Sequence, residues 1–247
     1  MGPLIHQTAF YIHVIAGSIA LVVFWLPMLA SKGGTIHRQY GHYFSIAMYT
    51  VALSGLTMTS LVLLDPIGIR APERNLTFEA ATQLATKSRN SAAFLFMLSL
   101  LVLVSVRQGL LVLKSKHNRK LLRQPFHLAL LLLLVIAGVF VGLRGFELNI
   151  VLFQIFAVIC ILVGSGHLHY IFKPVIKPRE WLIAHLSAII GAGIGAYTAF
   201  FVFGSSRLFS QFVDGGTQVS LWIIPGLIGT VGSAYLTRKY RRTYRVA

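Results

Sequence analysis

The chain has 247 residues, of which 56% are hydrophobic and only 11% charged, with a mean hydropathy of +0.75. A soluble domain carries about a quarter charged residues, so this chain has too little polar surface to cover itself, and a soluble globular enzyme is excluded together with disordered and fibrous classes. The net charge of +16 would suggest nucleic acid in a soluble protein, but the basic residues lie between apolar segments, so orientation in a membrane accounts for them and no nucleic-acid partner is expected.

A helix that crosses a bilayer needs about 20 mostly apolar residues. Seven segments meet that length: 8–30, 42–64, 91–113, 126–145, 148–172, 181–204 and 220–237. Backbone polar groups in lipid must be satisfied within the segment, which makes these helices; the ten-residue alternation of a membrane barrel is missing. No basic residue precedes the first run, so it reads as a retained helix and not a signal peptide. The longest connection, 65–90, opens with Asp65-Pro66, and residues 77–88 are expected as a short helix at the membrane surface. The expected fold is therefore all-α: a polytopic seven-transmembrane-helix bundle forming a single transmembrane domain over 1–247.

Basic residues mark the cytoplasmic side of a membrane protein. With the N-terminus outside, 15 of the 22 Lys and Arg fall in the inner loops and C-terminal tail, from Lys32 to Arg245, and six fall outside. Arg107 lies within the third segment. An odd number of crossings then puts the C-terminus in the cytoplasm, and a bacterial inner membrane is the expected location. Small residues mark close helix contacts: Gly138 and Gly142 form a GxxxG pair, and the sixth segment carries Ser187, Gly191 and Gly195 beside a stripe of Ala184, Ala188, Ala192 and Ala196. That helix is expected to be central, and Pro225 is expected to bend the seventh. The single cysteine, Cys160, belongs to no ligand motif and reads as a small buried hydrophobe.

Nine histidines in so apolar a chain are its most informative chemistry. At a rise of about 1.5 Å per residue, His167 lies roughly 7 Å and His185 roughly 6 Å from the inner ends of their helices. Joined by the short 173–180 connection, these two helices are expected to bring the imidazoles together. His127 and His42 lie at the rim of the same side. His169 is about 200° around the helix from His167, so only one of that pair can face inward. Arg107 is roughly 9 Å deep on the same side. Two imidazoles with an arginine suit a b-type haem, with axial histidines and a neutralised propionate; His167, His185 and His169 would also suit a transition-metal ion. The plain alternative is that the histidines are headgroup anchors and Arg107 snorkels to the surface. Ion-coupled transport and zinc hydrolysis are disfavoured, since no carboxylate lies inside a span.

His13 and Gln154 lie near the outer side. His13 is expected as a satisfied core histidine that bonds a neighbouring helix, with an outer quinone contact as the alternative. The stretch 31–42 reads as a structured inner turn around Gly33-Gly34, with Arg38 placed to meet a lipid phosphate.

The stretch His13-Val14-Ile15-Ala16-Gly17, then Lys32-Gly33-Gly34 with His37-Arg38 and Gly41, resembles an uncharacterised family of bacterial multi-pass membrane proteins. Trp181-Leu182-Ile183-Ala184-His185, Ala196-Tyr197-Thr198-Ala199-Phe200 and Trp222-Ile223-Ile224-Pro225 fit the same pattern. The resemblance implies that His13, His37, Arg38, Gly41 and His185 are shared polar positions, whereas His42, His127, His167 and His169 are particular to this chain. It carries no activity. The expected function is an inner-membrane protein that binds haem b or a metal ion at its inner-side histidines for electron transfer, with a quinone as partner beside the membrane lipids. The alternatives are a non-catalytic subunit that packs against other membrane proteins or itself, and a carrier of a small or lipidic ligand.

Overall fold

A computed structural model describes residues 1–204, 215–244 and 246, with 203, 204 and 215–223 described by backbone alone. Every regular element among the described residues is helical: α1 (Gly2–Leu29), α2 (Thr35–Leu64), α3 (Pro66–Arg70), α4 (Phe78–Ser115), α5 (Pro125–Glu147), α6 (Val151–Phe172), α7 (Glu180–Ala199) and α8 (Gly215–Thr243). A 3-10 turn, Arg119–Arg123, precedes α5, and a π turn, Phe200–Gly204, follows α7. Among the described residues six helices are long and apolar enough to cross a membrane: α1, α2, α4, α5, α6 and Glu180–Val202. The chain is a multi-pass helical membrane protein. The seventh expected crossing, 220–237, falls within α8, and the side chains of its first four residues, Trp222 among them, lie outside the described residues, as do Arg207, Asp214 and Arg245.

The helices outrun the apolar segments. The 77–88 stretch is not a separate surface helix but the first turns of α4, because no Pro or Gly interrupts the chain between Phe78 and Gly109. The second crossing starts at Thr35, so His37, Arg38 and His42 are helical and not part of a loop. Hydropathy falls where lipid ends; a helix ends only where something stops it.

The chain divides into two compact units, to both of which α1, α2 and α4 contribute. The first comprises Met1–Ala16, Met48–Val104 and Pro125–Tyr170. Its spine is the α5–α6 hairpin. Asn149 adopts φ 54°, Ile150 N–H donates to Gly145 O at 2.9 Å and Asn149 N–H to Phe146 O at 3.3 Å, which is the Schellman arrangement with Asn in the usual Gly place. The expected glycine pair faces the partner helix: a Cβ on Gly138 would lie 2.9 Å from Ile161 Cγ1, and one on Gly142 3.2 Å from Ala157 Cβ. Gly145 meets Phe153 and Gly164 meets Val135 in the same seam. Small residues thus let the two backbones approach closely. Cys160 is buried with no exposure at all.

The second unit comprises Gly17–Ala47, Ser105–Gln124 and Ile171–Ala247. Within it α7 touches three helices. Gly193 sits under the Phe24 ring of α1, Gly109 of α4 faces Ile189 and Ala188, and Gly229 of α8 faces Ile194. Tyr197 Oη donates to Leu21 O at 2.7 Å and accepts from Trp25 Nε1. The small-residue stripes divide: Ala188 and Ala192 are buried, whereas Ser187 and Gly191 are exposed. The C-terminal carbonyls that every helix leaves over are met at α6 by Arg119, whose guanidinium donates to Ile171 O, Lys173 O and Pro174 O.

Candidate functional site

The α1–α2 connection is built as a helix stop. Gly33 adopts φ 79°, a left-handed conformation that glycine accepts at little cost, and the chain turns back so that Lys32 reaches the end of α1. Its ammonium donates to Pro27 O at 2.9 Å, Met28 O at 2.6 Å and Ala30 O at 3.4 Å. A cation on the last carbonyls also meets the negative end of the helix dipole. Burial and the nearby Lys239 push the Lys32 ammonium below the ordinary lysine range. His37 Nδ1 lies 2.9 Å from the same Pro27 carbonyl. A carbonyl can only accept, so Nδ1 carries a proton, and in the neutral ring Nε2 carries the lone pair. The 31–42 stretch is thus a cap followed by helix, with Arg38 and His42 exposed.

His185 repeats that arrangement on α7. Its Nδ1 lies 3.0 Å from Gly109 O of α4, so it too donates from Nδ1 and keeps the Nε2 lone pair. His37 is the histidine with which His185 interacts electrostatically.

A second pair lies in the α5–α6 hairpin. His127, two residues into α5, has no exposure at all. The seam that sets Gly138 against Ile161 and Gly164 against Val135 carries His127 to the level of residue 172, about 7 Å along the axis from His167, close enough for its charge to be felt there. His167 Nε2 is buried with no hydrogen-bond partner among the described residues. Tyr170, three residues on and therefore on a neighbouring face, is buried as well.

These positions redistribute the expected site. His167 belongs to the first unit and His185 to the second, and each has a different histidine for its neighbour. Arg107, half-buried, belongs to the second unit. The expected metal trio of His167, His185 and His169 is not assembled: among the described residues no group of three His, Cys, Asp or Glu is placed to hold a metal ion. His169 is exposed while the His167 ring nitrogen is buried, as their separation around α6 requires. His13 is a satisfied core histidine. Its Nδ1 lies 3.0 Å from Ser54 Oγ, which itself donates to Thr50 O at 2.6 Å. Gln154 donates to Gly145 O at 3.0 Å. The pairing of His37 with His185 was not foreseen; the sequence signal for it is the Gly33-Gly34 turn, which returns α2 to the end of α1. No family model matches the chain, and no curated protein or solved structure matches it either.

Proposed function

We propose that the chain is a bacterial inner-membrane protein that holds haem b or a transition-metal ion between His127 and His167 and exchanges electrons with a membrane quinone. In this reading α8 makes the seventh crossing, the N-terminus is outside and the C-terminus cytoplasmic. The observation that carries it is His167 Nε2, buried without a hydrogen-bond partner among the described residues and coupled to a fully buried His127. A buried ring nitrogen left unsatisfied costs about 1–3 kcal/mol, and a metal-ligand bond removes that cost. A bis-imidazole iron would supply one-electron transfer. His127 and His167 would fix its orientation, and the packed hairpin would exclude water from it.

The test is a visible spectrum, oxidised and reduced, together with elemental analysis of the purified full-length protein. The proposal expects a Soret band or a stoichiometric transition metal. A colourless, metal-free preparation overturns it. The non-catalytic subunit reading draws on different residues: Ser187 and Gly191 are exposed on α7, and Leu227, Ile228, Val231, Gly232 and Tyr235 form a shallow apolar groove on α8. It expects a defined partner, or a second copy, at fixed stoichiometry in the same preparation.

A further inference from the structure

The second histidine pair lies wholly within the second unit and has no part in the proposal above. Three observations define it. First, both rings are fixed in the same tautomer by backbone carbonyls, His37 by Pro27 O at 2.9 Å and His185 by Gly109 O at 3.0 Å. A histidine whose Nδ1–H is held by a carbonyl is oriented as metal-ligating histidines are, with Nε2 ready to bind. Second, the helix register brings them to one end of the unit. Tyr197 Oη bonds Leu21 O and Gly193 underlies Phe24, so α1 and α7 run antiparallel and Pro27 comes level with residues near 190. His185 lies about 7 Å beyond that level, toward the end where α1 stops and His37 is bonded to it. Third, His37 is close enough for its charge to be felt at His185.

We infer that His37 and His185 form a second metal site, which takes a borderline transition-metal cation through its two Nε2 atoms. Imidazole nitrogens suit Zn²⁺, Co²⁺, Ni²⁺ and copper. His37 is the third residue of α2 and is flanked by exposed Ile36 and Arg38, so water can complete the coordination sphere. The nearby Lys32 ammonium, itself close to Lys239, opposes a cation. Its protons are directed at Pro27 O, Met28 O and Ala30 O, and the negative helix end offsets its charge. Because Nε2 carries no proton in this tautomer, the metal binds without displacing one.

The experiment is a Co²⁺ titration of the purified full-length protein, followed by visible absorption, in a His167→Gln background that disables the first site. Asparagine places an amide N–H where His Nδ1 stands, so His37→Asn and His185→Asn keep the bonds to Pro27 O and Gly109 O while removing Nε2. Each is expected to weaken Co²⁺ binding at least about tenfold, and Co²⁺ is expected to raise the Tm of the background protein but not of either variant. The controls His42→Asn and His169→Asn are expected to bind as before. A second measurement needs no variant at either site: Co²⁺ should protect His37 and His185, but not His42, from carbethoxylation, read by peptide mass spectrometry. Unchanged binding in both Asn variants, no binding in the background protein, or no protection of the two histidines overturns the inference. None of these results bears on His127 and His167, so the two proposals fail separately.

Discussion

Glutamine at His167 or at His127 is expected to strip the haem or metal from the purified protein, with occupancy falling at least about tenfold. Glutamine approximates the length of histidine and keeps an amide that can satisfy polar neighbours, so a loss of occupancy without a loss of folding isolates ligation. The two variants should act alike, because a two-ligand site loses its hold when either ligand goes. His169→Gln, on the exposed side of the same helix, and His13→Gln, whose ring is engaged with Ser54, should leave occupancy unchanged. Absorption and elemental analysis per chain, with gel filtration to confirm folding, give the reading. Full occupancy in both the His127 and His167 variants would remove these rings from the ligand set.

The largest effect on stability is expected at Gly193. A Cβ there would enter the Phe24 ring, with Cδ2 and Cζ at 2.8 Å. That ring has little room to yield: it is 7% exposed and packed against Trp25, Phe44 and Tyr197 at centroid distances of 5.5, 5.5 and 5.9 Å. Overpacking of this kind costs about 1–3 kcal/mol, so Gly193→Ala should lower the Tm measurably in detergent and Gly193→Val should lower it further. Gly191 faces open space, so Gly191→Ala should be near neutral. Phe24→Leu combined with Gly193→Ala should recover part of the loss, a coupling that a double-mutant cycle reads directly. Additive losses would mean that the two residues do not share the contact.

Six of the seven expected crossings correspond to helices long and apolar enough to span, because lipid imposes a length and a composition on any helix that crosses it. Their ends were not legible in the sequence. α2 starts at Thr35 and α4 at Phe78, in polar stretches where hydropathy has already fallen but no residue stops the helix. Gly138 and Gly142 were legible as a contact face, and they pack against α6 as expected of small residues in lipid. The histidine pairs were legible in depth only, since rise per residue places a ring along its helix without saying which helix it meets. That choice is made by the packing seams. Gly138, Gly142 and Gly164 lock α5 to α6 and give His167 the neighbour His127; Gly193 and Tyr197 lock α1 to α7 and give His185 the neighbour His37. The Schellman turn at Asn149 and the Lys32 cap depend on a backbone conformation and a long-reach side chain, neither of which periodicity reports.

The proposed topology puts both histidine pairs at the cytoplasmic ends of their helices, and cysteine labelling in intact cells tests that most directly. Cys160 is the single cysteine of the chain, so a Cys160→Ser background is silent toward an impermeant maleimide. Glu73 lies between α3 and α4, and Lys177 between α6 and α7; both are exposed. Glu73→Cys should label in intact cells, and Lys177→Cys should label only after the inner membrane is permeabilised. Labelling of Lys177→Cys from outside, with Glu73→Cys protected, would place the histidine ends on the opposite face and contradict the account.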